Sequence, residues 1–320
     1  VVAAGAGWLA GWLARALAVR PVGSAVVLAV LCLLGFLLGS VVEHAPGSSV
    51  EARKPDKAVA GPPVVVVVVD ALRADATGVY APGNQDTPNL DEFARDATVF
   101  ADASACATWT RPSVSTILTG VYPSTHRTVH KTDRLPESLP TLAGLLREQG
   151  YTTVASVTNV NLAPVFGLGR GFDAWGYFPP RPFLGAPSSA RRLFLVEIYR
   201  LVRLRFFGGH HEVSRYYAEG ERVLERARSL VDTTIEAGAP LFAYLHFMEP
   251  HDPYFAHPYD GRAVARVENP DPPVDKAPAF RELYRQEVRH WDELFGQLVT
   301  YLQERGIYDR ALLVVTSDHG

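Results

Sequence analysis

The distribution of apolar positions divides the chain into recognisable pieces. Residues 64–69 are six consecutive valines. A short run with no polar position describes a strand covered on both faces, as in a parallel sheet. Ser138, as N-cap, and Pro140 open a helix that runs through Leu145 and stops at Gly150, and a β-branched strand follows over Tyr151–Thr158. Helical periodicity returns at about 215–237, a strand at Leu241–Phe247, a helix at about 281–305 and a final buried strand at Ala311–Thr316. Strands alternating with helices predict an α/β fold with a largely parallel central sheet and helices on both faces.

Upstream the pattern differs. Residues 21–42, PVGSAVVLAVLCLLGFLLGSVV, carry no charge. As a helix they would be about 33 Å long, enough to cross a hydrocarbon core of roughly 30 Å and longer than a signal-peptide apolar region. Residues 1–43 are therefore expected to form a membrane-anchor region. Residues 44–61, rich in Pro, Gly, Ser and charge, read as a flexible linker, and 62–320 as one α/β domain. A start at Val1 and an end directly after Ser317-Asp318-His319 suggest an internal piece of a longer protein, its C-terminal part truncated.

Charge changes the picture little: 31 Lys plus Arg against 34 Asp plus Glu give a net −3. That balance offers no field to recruit nucleic acid. With 48% hydrophobic and 20% charged residues the chain is globular in composition, and two cysteines cannot build a disulfide scaffold. One local exception is Ala190–Phe207, with five arginines among large apolar residues. Arg192, Arg200 and Arg203 fall near one helical face, suited to an anionic lipid surface or to snorkelling from a domain helix.

In open α/β sheets, ligands gather beyond the carboxyl ends of the strands. Those ends deliver Asp70, then Thr158 and Asn159, then Glu249, His251 and Asp252, and lastly Ser317, Asp318 and His319. Singly, each is an ordinary cap, turn or loop residue. Together they supply hard oxygen and imidazole donors for one divalent ion such as Mn²⁺, Ca²⁺, Zn²⁺ or Mg²⁺.

Five blocks extend this convergence into a resemblance. Val69-Asp70-Ala71-Leu72-Arg73-Ala74-Asp75, Thr87-Pro88-Asn89-Leu90-Asp91, Pro112-Ser113 to Leu118-Thr119-Gly120, His246 to Tyr254, and Ser317-Asp318-His319-Gly320 resemble successive signatures of the sulfatase family, in the alkaline phosphatase superfamily. The resemblance implies a metal-dependent hydrolase or transferase acting on sulfate or phosphate esters. In membrane-tethered members it also implies an extracytoplasmic catalytic domain. By the same resemblance, residues after Gly320 would add a further histidine-bearing segment.

The departures narrow the chemistry. Anchored on Pro112 and Leu118-Thr119-Gly120, the family pattern puts Thr110 at the nucleophile position and Val114 where an arginine is usual. Cys106 is followed two residues later by Thr108 instead of Pro, so no formylglycine is expected. Ala71 replaces a second aspartate, and the lysine usual after a Gly-Tyr-x-Thr block is missing beyond Gly150-Tyr151-Thr152-Thr153. Asp70, Thr110, Asp318 and His319 are similar to the one-metal threonine set of lipoteichoic acid synthases and phosphoethanolamine transferases, where the Asp70 position is typically Glu. The expected site therefore has Asp70, Asp318 and His319 on the metal and Thr110 as nucleophile at a helix start. His251 is placed as proton donor or anion holder, Asn159 as a hydrogen-bond donor to the anion, and Arg111 as a replacement for the charge missing at Val114. Threonine lacks the second hydroxyl by which formylglycine expels sulfate, which favours phosphoryl chemistry. Membrane lipid is an expected substrate or neighbour in the transferase reading, and a degenerate ligand-binding relative is the non-catalytic alternative.

Overall fold

The computed structural model describes residues 61–180, 213, 216–260, 263–264 and 273–320. The elements are β1 (Val64–Val69), α1 (Pro88–Arg95), α2 (Thr110–Thr119), α3 (Pro123–His126), α4 (Leu142–Glu148), β2 (Thr152–Val157) and β3 (Ala174–Tyr177). They continue with α5 (Gly220–Glu236), β4 (Leu241–Phe247), β5 (Tyr254–Phe255), β6 (Ala263–Val264), α6 (Ala277–Glu304) and β7 (Leu312–Ser317). Five strands form one sheet in the order β3-β2-β4-β1-β7, with every pairing parallel. β5 and β6 make a separate antiparallel pair.

The sheet is layered as the pattern predicts. Alternate valines of β1 face opposite cores. Val65, Val67 and Val69 join Leu241, Ala243, Leu245 and Phe247 of β4 beneath α5 and α6, which contribute Leu224, Leu230, Trp291 and Phe295. Val66 and Val68 join Phe242 and Tyr244 beneath α2 and α4, which contribute Val114, Leu118 and Ala143. Val65 and Val67 to Val69 are at most 1% exposed, and burying each side chain contributes about 1.5–3 kcal/mol before entropy is counted.

Two expectations are corrected and one strand is added. The helix after Pro140 begins later: Thr141, not Ser138, is the N-cap, its Oγ1 accepting from the Gly144 N–H at 3.1 Å. Its stop signal stands, since Gly150 has φ +87°, a region that glycine enters without a Cβ clash. β7 is not fully buried. It lies at the sheet edge, with Leu312 at 55% and Val314 at 36% exposure. Only its odd positions, Leu313 and Val315, pack against a described core. β3 is an edge strand absent from the sequence reading, because Ala174-Trp175-Gly176-Tyr177 is short and holds a glycine. The predicted span 21–42, the linker 44–61 and the arginine-rich stretch 190–207 lie outside the described residues. Among the described residues, no helix is long and apolar enough to cross a membrane.

Candidate active site

Side-chain alternation decides which strand-end residues meet. Successive residues of a strand point to opposite faces. Asp70 therefore continues the Val66–Val68 series and His246 the Phe242–Tyr244 series. Asp318 is in phase with Leu312, Val314 and Thr316. β1 is hydrogen-bonded to both β4 and β7, with Val68 opposite His246 and Val69 opposite Ser317. All three side chains thus emerge on the α2 face, at the carboxyl edge of three adjacent strands. Asp70 and His246 are fully buried, and Asp318 is 1% exposed.

One ligand atom from each of Asp70, His246 and Asp318 lies within 4.8 Å of the others. His246 Nε2 stands 3.8 Å from both Asp70 Oδ2 and Asp318 Oδ2. His319 approaches from the turn after β7, with Nε2 3.3 Å from Asp70 Oδ1 and 3.8 Å from Asp318 Oδ1. Asp70 Oδ1, Asp318 Oδ2, both ring nitrogens of His246 and His319 Nε2 are buried without a hydrogen-bond partner. Buried polar atoms are normally satisfied. This group of orphaned oxygens and nitrogens fits a divalent cation. Burial pushes the Asp70 carboxyl up, but His251, His319 and His246 around it outweigh that and hold it down at about 2. The carboxylate is charged and available to a cation.

Thr110 is the first residue of α2 and 1% exposed. Its hydroxyl donates to Asp70 Oδ2 at 3.3 Å. Asn159, which follows β2 by two residues, donates from Nδ2 to Asp70 Oδ2 at 2.5 Å and to Thr110 Oγ1 at 3.2 Å. Its own Oδ1 accepts from the Asn161 N–H at 2.7 Å, which fixes the orientation of the amide. The unsatisfied N–H groups of the first turn of α2 give the same spot a positive potential. His251 lies across the cluster, 34% exposed, with Nε2 4.0 Å from Asp70 Oδ1. Its ring meets that of His319 edge-on at 6.3 Å.

The structure thus brings together Asp70, Thr110, Asn159, His251, Asp318 and His319. It adds His246, which the sequence reading placed in a motif without giving it a role. The available signal was a lone polar residue next to last in an otherwise apolar strand. Arg111 makes no hydrogen bond to Thr110 or Asp70. Its guanidinium donates to the carbonyls of His130, Lys131 and Asp133 and to Asn161 Oδ1, and it lies over the Phe166 ring at 3.4 Å from the centroid. None of these bonds reaches the Asp70–Thr110 group. Next to Thr110 in sequence, it is held by three backbone oxygens and by Asn161, whose N–H in turn donates to Asn159 Oδ1.

The turn after Asp70 is held from two sides. Ala71 has φ +59°, a left-handed conformation that costs a non-glycine residue roughly 1–2 kcal/mol. Its N–H donates to Asp318 Oδ1 at 3.2 Å, and its carbonyl accepts from the Tyr284 hydroxyl at 3.0 Å.

A family model described as "Sulfatase" matches residues 62–320. The chain belongs to the sulfatase family. Among curated relatives of this sulfatase-family chain, the multifunctional alkaline phosphatase superfamily protein PehA of Trinickia caryophylli is 26% identical, over 80% of the chain and 62% of its own length. The ulvan-active sulfatase of Formosa agariphila is 21% identical, over 81% of the chain and 50% of its own length. The chain therefore spans about half to three-fifths of these relatives. Among solved structures, the lipoteichoic acid synthase LtaP of Listeria monocytogenes superposes with a TM-score of 0.56 at 17% identity, covering 89% of the chain and 62% of LtaP. At that identity the likeness establishes the shared α/β fold.

Proposed function

We propose that this chain is the catalytic part of a membrane-anchored, extracytoplasmic metalloenzyme that hydrolyses sulfate or phosphate esters through Thr110, with phosphate esters favoured. The observation that carries the reading is the triangle of Thr110 Oγ1, Asp70 Oδ2 and Asn159 Nδ2 at a helix N-terminus, beside buried ligand atoms with no partner. Asp70, His246, Asp318 and His319 would hold one cation, and two carboxylates with two imidazoles suit Mn²⁺ or Zn²⁺ better than the all-oxygen preference of Ca²⁺ or Mg²⁺. Such an ion would stabilise Thr110 as an alkoxide, its proton lost to solvent, and offset charge on the ester oxygens.

The chain's own groups supply the rest. Asn159 and the first turn of α2 orient Thr110 and receive the anion. Oγ1 attacks phosphorus, the bond to the leaving alcohol breaks, and His251, the most exposed member of the cluster, gives that oxygen its proton. Water then attacks phosphorus, its proton passing back to His251, as the bond to Oγ1 breaks and releases Thr110 as the alkoxide. A transferase differs only in the second step, where an acceptor alcohol replaces water. Anchorage through the apolar segment 21–42 would favour that variant, because a lipid could then supply the acceptor alcohol.

The test is turnover of bis(p-nitrophenyl) phosphate, p-nitrophenyl phosphate and p-nitrophenyl sulfate with added Mn²⁺, Zn²⁺, Ca²⁺ or Mg²⁺. Thr110→Ala should lower metal-dependent phosphoester cleavage by ~10⁴-fold or more, as losing a nucleophile does elsewhere. Mass spectrometry of acid-quenched enzyme should find a phospho-adduct on Thr110. An adduct on another residue rejects the assignment.

A further inference from the structure

A second buried polar cluster lies where α6 and the start of α5 meet the segment after β4, and the proposed chemistry does not use it. Glu287 of α6 is fully buried. Its Oε1 accepts from the Phe255 N–H at 2.6 Å, and its Oε2 faces His257 Nε2 at 3.1 Å. The neighbouring Gln286 accepts from the His257 N–H at 3.0 Å. The His257 ring stacks on His290 at 4.1 Å, and His290 Nε2 sits 3.2 Å from Glu221 at the start of α5. Glu249, also buried, accepts from the Gly220 N–H at 2.8 Å. A Cβ at Gly220 would lie 3.1 Å from Glu249 Oε2 and 2.4 Å from Leu294 Cδ1, so glycine is what lets the carboxylate come so close.

These contacts fall on one stretch of chain. β4 ends at Phe247, and from there to Phe255 the backbone leaves the sheet and carries His251 past Asp70. The central sheet holds the start of the segment, and at its far end β5 pairs only with the short strand β6. That far end is tied to the body of the domain where Phe255 and His257 meet α6. A carboxylate buried there is costly unless it is paired: Oε1 takes the Phe255 N–H, and Oε2, without a hydrogen-bond partner, lies at ion-pair distance from His257 Nε2.

We propose that Glu287 is a positioning residue: by binding Phe255 and His257 it sets the reach of the 248–257 segment and so holds His251 over the reacting centre. The inference rests on the reading of His251 as the proton donor. Misplacing that ring by about 1 Å is enough to cost ~10²-fold in turnover. The loss belongs in kcat, since Thr110 and the cation ligands are untouched.

The experiment compares the full chain with its Glu287→Met and Glu287→Gln variants. Glu287→Met keeps volume and removes both acceptors, whereas Glu287→Gln keeps an acceptor for the Phe255 N–H. Residue-resolved ethoxycarbonylation by diethyl pyrocarbonate should show His251 several-fold more reactive in Glu287→Met. Exposed His130 serves as the internal reference. Glu287→Gln should restore most of the protection. On bis(p-nitrophenyl) phosphate with Mn²⁺, Glu287→Met should lower kcat with KM nearly constant, and adding His251→Gln should cost little more. If Glu287→Met does not fold, His257→Leu removes the Oε2 contact from the loop side and should expose His251 in the same direction. Unchanged His251 reactivity in a folded variant, or fully additive losses with His251→Gln, overturns the inference and leaves the His251 reading standing. If His251→Gln alone leaves turnover unchanged, the His251 reading falls and takes this inference with it.

Discussion

Thr110 and His246 show the two ways in which a site residue can be read. Thr110 was legible because its neighbours are: Pro112 marks a helix start and Leu118-Thr119-Gly120 fixes the register of the motif. His246 is hidden inside the strand Leu241–Phe247, where periodicity says only "buried" and nothing local distinguishes a ligand from a satisfied core histidine. Neither of its ring nitrogens has a partner, and only the packed strands reveal that. Arg111 shows the limit of adjacency in sequence, since its hydrogen bonds go to the carbonyls of His130, Lys131 and Asp133 and to Asn161. If His246 is a cation ligand, Mn²⁺ at 100 times its Kd should stabilise the wild type by about 2.7 kcal/mol. His246→Gln should remove most of that gain in a thermal-shift titration. An undiminished Mn²⁺ shift in His246→Gln would take it out of the ligand set.

Among the elements, strand order was not written in the sequence, but strand phase was. Every donor of the cluster sits at a strand's carboxyl end, and the even positions of β1, β4 and β7 share a face. Helices without long apolar stripes were harder to see. α1 spans only Pro88–Arg95, with one buried residue, Leu90. Its placement depends on the distant Asp292, which accepts from the N–H groups of Asn89 and Leu90 at 2.9 Å each. The start of α4 was misplaced because Ser138 and Thr141 are both acceptable caps, and only the fold shows that Thr141 also donates to the Arg170 carbonyl at 2.9 Å. Thr141→Ala loses the cap and leaves that carbonyl short of a donor, so it should cost about 1–2 kcal/mol in urea unfolding. Ser138→Ala should lie within about 0.5 kcal/mol of wild type.

For the whole molecule, the buried acidic cluster ties stability to pH. Burial, and then the nearby Glu287, push the Glu249 carboxyl up from an ordinary 4.5 to about 7. In that window the folded state binds more protons than the unfolded state, so stability falls as pH rises. The contribution is full below about 4.5 and is lost as pH passes about 7. Glu249→Gln mimics the protonated form. It should match the wild type near pH 5 and exceed it at pH 8 by on the order of 3 kcal/mol, read from denaturant midpoints at both pH values. A constant difference between the two proteins across that range would show that Glu249 does not titrate there.

The valine strand has a consequence for how the chain finds its fold. A run of six identical residues carries no internal address: sliding β1 by two places against β4 or β7 returns valine to valine on both faces. What distinguishes the native register is the residue that ends the run, because a slipped strand would drive the Asp70 carboxylate in among apolar neighbours. The same side chain proposed to bind the cation thus also acts as the stop that sets the ladder. Before it is seated, an uncharged β-branched hexamer of this kind is an aggregation hazard. Asp70→Val should therefore lower refolding yield well below that of Asp70→Asn, which keeps a polar stop. Equal yields from the two would mean that the register is set elsewhere.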